Sequence, residues 1–312
     1  MAALIMNVAI VGAGAMGCLF AARISEAGAN VTLIDNCIQR LDQIEALGIE
    51  LADDLGCRRT RPATALAGEF AGPVDLMILF TKSMHSASAV ASVAHLKRQN
   101  PIALTLQNGL GNAEILVETF GGARVLAGTA HVPADLTPPN KVTSHGLAQI
   151  QLGGFRPESQ GHSSAVADLL KRANFDPKVT ADVQAAIWEK LAFNAALNAM
   201  AMITESTNGE MCNAHGFRIA KAVVAETVAV AEATGIRIDE NQINAAVEAG
   251  LTGHPGHKAS MLQDRELARP TEIEAINAKI AGLGRGAGIS TPINDTLSDL
   301  VGIIERKARA RG

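Results

Sequence analysis

Val8-Ala9-Ile10-Val11-Gly12-Ala13-Gly14-Ala15-Met16-Gly17 is an apolar strand running straight into three glycines spaced G-x-G-x-x-G. Each glycine has its own task in such a turn. The first permits the tight bend after the strand, the second lets a pyrophosphate approach the backbone, and the third lets the following helix pack close to the strand. Ala15 and Met16 open that helix, whose free N–H groups and positive dipole end face the same point. A glycine triplet also arises from packing alone, so its surroundings decide. Cys18–Ile24 has helical character and stops at Gly28, and Asn30–Ile34 is a second strand ending in Asp35, 18 residues beyond Gly17. An acidic residue about 20 residues beyond the glycines is placed to meet an adenosine ribose. Gly12, Gly14, Ala15, Met16, Gly17 and Asp35 are therefore expected to hold a dinucleotide.

At 312 residues the chain exceeds one typical domain, and two are expected. A hydrophobic content of 48% without low-complexity tracts marks it as globular throughout. The net charge of −4, from 27 basic and 31 acidic residues, offers no footprint for nucleic acid. Cys18, Cys37, Cys57 and Cys212 show no C-x-x-C spacing, which fits a reduced, cytoplasmic setting. Met1-Ala2-Ala3-Leu4-Ile5 is too short for a signal core, and no run approaches the ~18 apolar residues of a membrane helix, so no membrane partner is expected. His254-Pro255-Gly256-His257 lacks further clustered ligands and reads as a polar loop, so no metal is expected.

Along the first half, short apolar runs alternate with helix-like segments, the pattern of a parallel, doubly wound sheet. A helix is expected near Ile38–Leu47, and Gly48–Arg61 reads as a small excursion of strands and turns. Val74–Phe80 is a buried strand followed at once by Thr81-Lys82-Ser83, and Ile102–Leu106 is another, followed by Gln107-Asn108-Gly109-Leu110-Gly111-Asn112. Ligands of open α/β sheets sit outside the carboxyl ends of the strands, which makes Lys82 and Asn108 candidate site residues. As plain sequence, Lys82 reads equally as an exposed lysine and Asn108-Gly109 as a turn. Val142–Leu152 reads as a hairpin around His145-Gly146, supplying antiparallel edge strands. From about Ala181 strands give way to helices over Val183–Ile203, Gly216–Thr234, Asn241–Ala249, Ala259–Leu267, Thr271–Leu283 and Pro292–Arg309. The expected fold is α/β: a Rossmann-type doubly wound sheet over residues 1–180 and a second, all-helical domain over 181–312, with a substrate cleft between them. The apolar helices of the second half would permit a homodimer and would equally fill a domain core.

One of those helices carries chemistry. In Trp188-Glu189-Lys190-Leu191-Ala192-Phe193-Asn194-Ala195-Ala196-Leu197-Asn198, Lys190, Asn194 and Asn198 recur at intervals of four in apolar surroundings. They share one face and line about 12 Å of it, and a polar stripe on a buried helix needs partners. A desolvated lysine has its pKa lowered toward neutrality and suits a general acid for a carbonyl undergoing reduction. Further on, Ser260 and the pair Thr271-Glu272 occupy positions where a helix cap and dipole complementation would also explain them.

These motifs together resemble the ketopantoate reductase family nearly end to end. Its marks are the generic Val11–Gly17 turn, Thr81-Lys82, Gln107-Asn108-Gly109-Leu110-Gly111, Trp188-Glu189-Lys190-Leu191 with Asn194 and Asn198, Asn208-Gly209-Glu210, and then Ser260-Met261-Leu262-Gln263-Asp264 and Arg269-Pro270-Thr271-Glu272-Ile273, the last two, in that order after the lysine helix, being specific. The resemblance implies that Lys190 is the general acid and that Glu272 contacts the substrate hydroxyl and helps set the lysine. It implies that Asn108, Asn194, Asn198, Asn208 and Ser260 line the substrate pocket, while Lys82 stands on the cofactor side with Asn108 nearby. The implied reaction is hydride transfer from a nicotinamide to the C2 ketone of 2-dehydropantoate, a small 2-keto acid. A paralogue acting on another 2-keto or 2-hydroxy acid, or a non-catalytic dinucleotide sensor, would share the glycine turn. Family members using NADPH commonly carry a basic residue at the end of the second strand, where this chain has Asp35-Asn36. A carboxylate repels a 2′-phosphate and suits a ribose diol, so NAD(H) is expected over NADP(H), with Arg40 a nearby cation able to swing in.

Overall fold

The computed structural model describes residues 6–146 and 148–310. Met1–Ile5, and Leu147 within the expected hairpin, lie outside the described residues. The chain divides into two compact units: residues up to Gln107 together with Gly111–Val183, and Asn108–Leu110 together with Gln184 onward.

The first unit is built on an eight-stranded sheet. Its strands are β1 (Asn7–Val11), β2 (Asn30–Asp35), β5 (Ala63–Leu66), β6 (Leu76–Leu79), β7 (Ile102–Thr105), β8 (Val125–His131), β11 (Gln149–Gly154) and β12 (Asp176–Val179). A smaller sheet holds β3 (Ile49–Asp53), β4 (Gly56–Thr60), β9 (Asp135–Thr137) and β10 (Lys141–Ser144). The helices are α1 (Ala15–Glu26), α2 (Ile38–Leu47), α3 (Ser86–Ser92), α4 (Asn112–Phe120) and α5 (Ser163–Arg172). The large sheet runs β12-β11-β8-β7-β6-β1-β2-β5, parallel throughout except where β11 meets β8. Strand order reverses on either side of β1, so β1 and β6 flank the switch point at which open α/β sheets bind ligands. Both faces are covered, which is why β1 and β6 read as continuous apolar runs instead of alternating.

Val142–Leu152 does not form the expected hairpin. β10 joins the small sheet, parallel to β3, while β11 joins the large one, antiparallel to β8, with β12 outside it as the edge. The turn between them is gripped from elsewhere: His145 Nδ1 and Gly146 N–H lie 2.9 Å from the two carboxylate oxygens of Asp54, in the β3–β4 connection. A local Gly turn fits a hairpin and a sheet-to-sheet crossover equally well, and Asp54 makes it the latter. The small sheet is anchored on α1 by Arg23, whose Nη2 meets Asp53 Oδ2 at 3.0 Å in a nearly solvent-free pair. Burial alone would raise the Asp53 carboxyl, but bonds from Arg58, the Leu55 N–H and Arg23 hold it down at about 2.

The second unit is helical: α6 (Val183–Thr204), α7 (Asn208–Met211), α8 (Ala214–Ala233), α9 (Glu240–Gly253), α10 (Ser260–Glu266), α11 (Asn277–Ala287) and α12 (Pro292–Arg309). α6 is its core. Ala192, Ala195, Ala196, Ala199 and Ala201 are wholly buried and let Val223 and Val224 of α8, Leu251 of α9 and Ile280 of α11 share one apolar cluster with it. Several buried polar groups are paired across helices. Asn277 Nδ2 donates to Ala195 O and to Asn294 Oδ1, both at 3.0 Å, and Glu226 accepts the Ile293 and Asn294 N–H groups that open α12. No helix among the described residues is long and apolar enough to cross a membrane.

One expected helix is broken in two. Instead of a continuous Thr271–Leu283, a 3-10 turn over Ile273–Ala275 precedes α11, and Ile276, at φ −112° and ψ −99°, separates them. Thr271 stands before this turn and not before α11; its N–H and hydroxyl both donate to Glu305 Oε1 of α12, at 2.8 and 2.7 Å, while its hydroxyl oxygen accepts the Ile273 N–H at 3.4 Å. Glu272 therefore sits on a turn, with its carbonyl accepting from Ala275 N–H at 3.0 Å.

Candidate active site

Each unit carries one cluster of the expected site residues. In the first, β1 ends in a turn that only glycine can make: Gly12 has φ +109°, and a Cβ there would lie 2.9 Å from the Phe80 carbonyl carbon and oxygen. A Cβ on Gly17 would collide with the Gly12 carbonyl oxygen, so the third glycine sets how closely α1 packs. Gly14 has open space where its Cβ would be. It faces a cavity of about 370 Å³ lined by Gly12, Ala13, Gly14, Asp35, Asn36 and Lys82, among others. Ala15, Met16 and Gly17 are not among the lining residues; they form the first turn of α1 behind it. The cradle fits a dinucleotide: a glycine turn without side chains, a helix start with unpaired N–H groups, and a carboxylate at the end of β2.

Asp35 is already engaged. Its Oδ2 accepts the Ala13 N–H at 2.7 Å and its Oδ1 the Cys37 N–H at 2.9 Å. Each carboxylate oxygen keeps a further lone pair, so a ribose hydroxyl can still donate to it. Arg40 lies on the opposite side of the Ala13 peptide, with Nε 3.1 Å from its carbonyl oxygen. Sequence reasoning overlooked the wall opposite. His85, Ser88 and Ser92 also line the cavity, and their i, i+3, i+7 spacing at the β6 exit was the available signal. Gln107 was overlooked too: its Nε2 donates to Thr81 O at 2.5 Å and Ser86 Oγ at 2.9 Å, fastening the exits of β6 and β7 together.

In the second unit, α6 presents Lys190, Asn194 and Asn198 on one face, and other segments come to meet them. Asn108 does so from outside the helices. Gly109, at φ +84°, lies so close to the 3-10 turn that a Cβ would be 2.6 Å from Ala275 O, and Leu110 N–H donates to that oxygen at 3.1 Å. This docking brings Asn108 Oδ1 within 3.4 Å of Asn194 Nδ2, a long hydrogen bond. One turn further along, Asn198 Nδ2 donates to Ser260 Oγ, the first residue of α10, at 3.1 Å. Lys190 is only partly covered as a residue, yet its ammonium is withdrawn from water. Burial lowers its pKa to about 8, against the negative charge of Glu272, which raises it. An ammonium of that acidity releases a proton near neutral pH, and a carboxylate beside it keeps it charged until then.

Asn208 is bonded elsewhere. Its Nδ2 donates to Gly250 O at the end of α9, and its N–H donates to His257 O, while Gly209 N–H donates to Pro255 O. A Cβ on Gly209 would lie 2.7 Å from the Pro255 Cβ. The His254–His257 loop is thus a strap laid across the start of α7 just before Ser260. Among the described residues no group of three or more His, Cys, Asp or Glu is placed to hold a metal ion.

A doubly wound sheet with a glycine turn at its switch point, joined to an α-helical unit built on a lysine-bearing central helix, defines a Rossmann-type α/β protein with a helical C-terminal half. The family described as "Ketopantoate reductase PanE/ApbA" matches residues 8–157, and "Ketopantoate reductase PanE/ApbA C terminal" matches residues 182–305. The chain belongs to the ketopantoate reductase family of enzymes. It is 30% identical over 303 residues to the 2-dehydropantoate 2-reductase of Halobacterium salinarum, covering 96% of this chain and 99% of that one. Among solved structures it is similar to a D-mandelate dehydrogenase in a ternary structure with NADH and anilino(oxo)acetate, with a TM-score of 0.93 and 26% identity over 97% of this chain and 100% of the other. It is also similar to a PanE/ApbA family ketopantoate reductase from Ralstonia eutropha, with a TM-score of 0.90 and 28% identity over the same shares.

Proposed function

We propose that this chain reduces the C2 ketone of 2-dehydropantoate to pantoate, a step toward pantothenate and coenzyme A, with Lys190 as general acid and NADH as the preferred reductant. The observation that carries the reading is the Lys190 ammonium, desolvated beside Glu272 on the helix face that also holds Asn194 and Asn198. The names of the relatives support the substrate class.

A reduced nicotinamide held by the glycine turn would supply the hydride. Reduction at C2 would place the carbonyl π pair on oxygen. The Lys190 ammonium stabilises that charge and gives it a proton, yielding the alcohol and a neutral amine that solvent reprotonates. With its pKa at about 8, Lys190 is mostly ammonium at pH 7 and still a stronger acid than an exposed lysine. Glu272 keeps the ammonium charged until the proton is needed and accepts a substrate hydroxyl. Asn108, Asn194, Asn198 and Ser260, the last two already bonded to each other, orient the substrate; Asn208, at the start of α7, holds the 254–257 strap that leads into Ser260. On the cofactor side, Asp35 and Asn36 at the β2 exit favour a ribose diol over a 2′-phosphate, and Lys82 faces the same cavity.

A steady-state assay with 2-dehydropantoate and each of NADH and NADPH tests substrate and cofactor together. Turnover with a higher kcat/KM for NADH is expected, and a higher value with NADPH overturns the cofactor preference. The likeness to D-mandelate dehydrogenase favours a second reading, a reductase of another 2-keto acid. A kcat/KM for the 2-keto acid corresponding to mandelate that exceeds that for 2-dehydropantoate would establish it. Dinucleotide binding without turnover of either acid would point instead to a sensor.

A further inference from the structure

The peptide unit of Ala13, at the centre of the glycine turn, is held on both sides by ionised side chains. Its N–H donates to Asp35 Oδ2 at 2.7 Å, and its carbonyl accepts from Arg40 Nε at 3.1 Å. The other guanidinium nitrogens of Arg40 are used as well. Nη1 donates to the Pro139 carbonyl in the β9–β10 turn, and Nη2 lies 3.4 Å from the sulfur of buried Cys18. Cys18 in turn points its thiol at the Ala13 carbonyl, 3.4 Å away. Arg40 thus ties α2, the glycine turn, α1 and the small sheet to one planar group.

We propose that Arg40 is a positioning residue of the dinucleotide site, a brace that fixes the Ala13 peptide against Asp35, and that it does not serve as a ligand for a 2′-phosphate. The proposal rests on the reading that this cavity takes a nicotinamide dinucleotide, and it goes beyond that reading in assigning how the turn is held. A guanidinium offers its donors in a fixed plane, so all three contacts are made or lost together. Swinging Arg40 toward a phosphate would take its donors from the Ala13 carbonyl, the Pro139 carbonyl and the Cys18 sulfur at once, leaving the Ala13 carbonyl with the weak Cys18 thiol alone. Arg40 is also absent from the cavity wall, where the β2 exit contributes Asp35 and Asn36 and the β6 exit contributes Lys82 and His85. Cofactor choice is then left to Asp35 and Asn36, while Arg40 governs how well either dinucleotide is held.

Arg40→Met keeps the aliphatic stem and removes every donor. Its test is calorimetric titration of wild type and variant with NADH and with NADPH, together with kcat and KM for each. The expected result is a parallel weakening of both Kd values by about tenfold, with their ratio unchanged and kcat preserved. Arg40→Lys should fail to restore binding, because one ammonium cannot span three acceptors. A loss confined to NADPH, relieved by Arg40→Lys, would make Arg40 a phosphate ligand and overturn the proposal, as would unchanged binding of both. Should Arg40→Met not fold, Cys18→Ala removes one anchor: a parallel two- to threefold weakening supports the brace, and a gain for NADPH alone sinks it. A wild type that prefers NADPH, combined with a parallel loss in Arg40→Met, would refute the NADH preference and leave the brace standing. A wild type that binds neither dinucleotide removes both.

Discussion

The glycine turn of the first unit and the α6 face of the second do their work with different parts of the chain. At the turn the exposed groups are mainly backbone: Gly12 and Gly14 make room, and Asp35 and Arg40 grip the Ala13 peptide. On α6 the backbone is a rigid rod and the side chains of Lys190, Asn194 and Asn198, to which we assign the chemistry, each meet a group from a distant segment. A site made of backbone is fragile to atoms added, whereas a site made of side chains is fragile to atoms removed. That contrast has measurable consequences.

The sharpest break is Lys190→Ala. Deleting a general acid costs about 10²- to 10⁴-fold in kcat, with the fold intact and dinucleotide affinity unchanged; a kcat near wild type would refute the assignment. Next comes Gly12→Ala, which adds one carbon at φ +109° and 2.9 Å from the Phe80 carbonyl. Here stability and dinucleotide binding should both fall, by about 1–3 kcal/mol in denaturant unfolding, because neither the strain nor the contact has room to relax. A stable variant with normal dinucleotide affinity would mean that the turn is not under that constraint.

Electrostatics sharpens the comparison further. With Lys190 at about 8, kcat for reduction should be level through pH 7 and fall tenfold per pH unit above about 8, as the acid loses its proton. Glu272 raises that pKa, so Glu272→Gln should move the falling limb to lower pH as well as reduce kcat. A limb that stays in place would remove Glu272 from the pair. The smallest effect expected is at Ser260→Ala, which leaves Asn198 Nδ2 without its partner. About 1 kcal/mol, or roughly a fivefold rise in KM for the keto acid, is expected with kcat little changed.

The sequence was most readable where structure is punctuated locally. The strand–turn–helix from β1 into α1, the strand ending at Asp35, α2 at Ile38–Leu47 and α12 at Pro292–Arg309 all stand where glycine, proline and apolar periodicity put them. Reading failed where a segment answers to a distant partner. Asp54 takes hold of the His145-Gly146 turn while β10 and β11 enter different sheets, and Glu305 ties Thr271 to α12 ahead of a 3-10 turn that stands where a continuous helix was expected.

For the candidate sites, spacing alone put Lys190, Asn194 and Asn198 on one face and Asp35 near the glycines, because a helix repeat and a βαβ length are properties of the chain itself. Only the folded protein could dock Asn108-Gly109-Leu110 onto the 273–275 turn, bring Ser260 to Asn198 and close Arg40 on the Ala13 carbonyl. Those pairings join residues 27 to 165 positions apart, as with Arg40 and Ala13 or Leu110 and Ala275, and such contacts leave no periodic trace in the sequence. They exist because buried polar groups must find partners, and which partner is near is settled by how the elements pack.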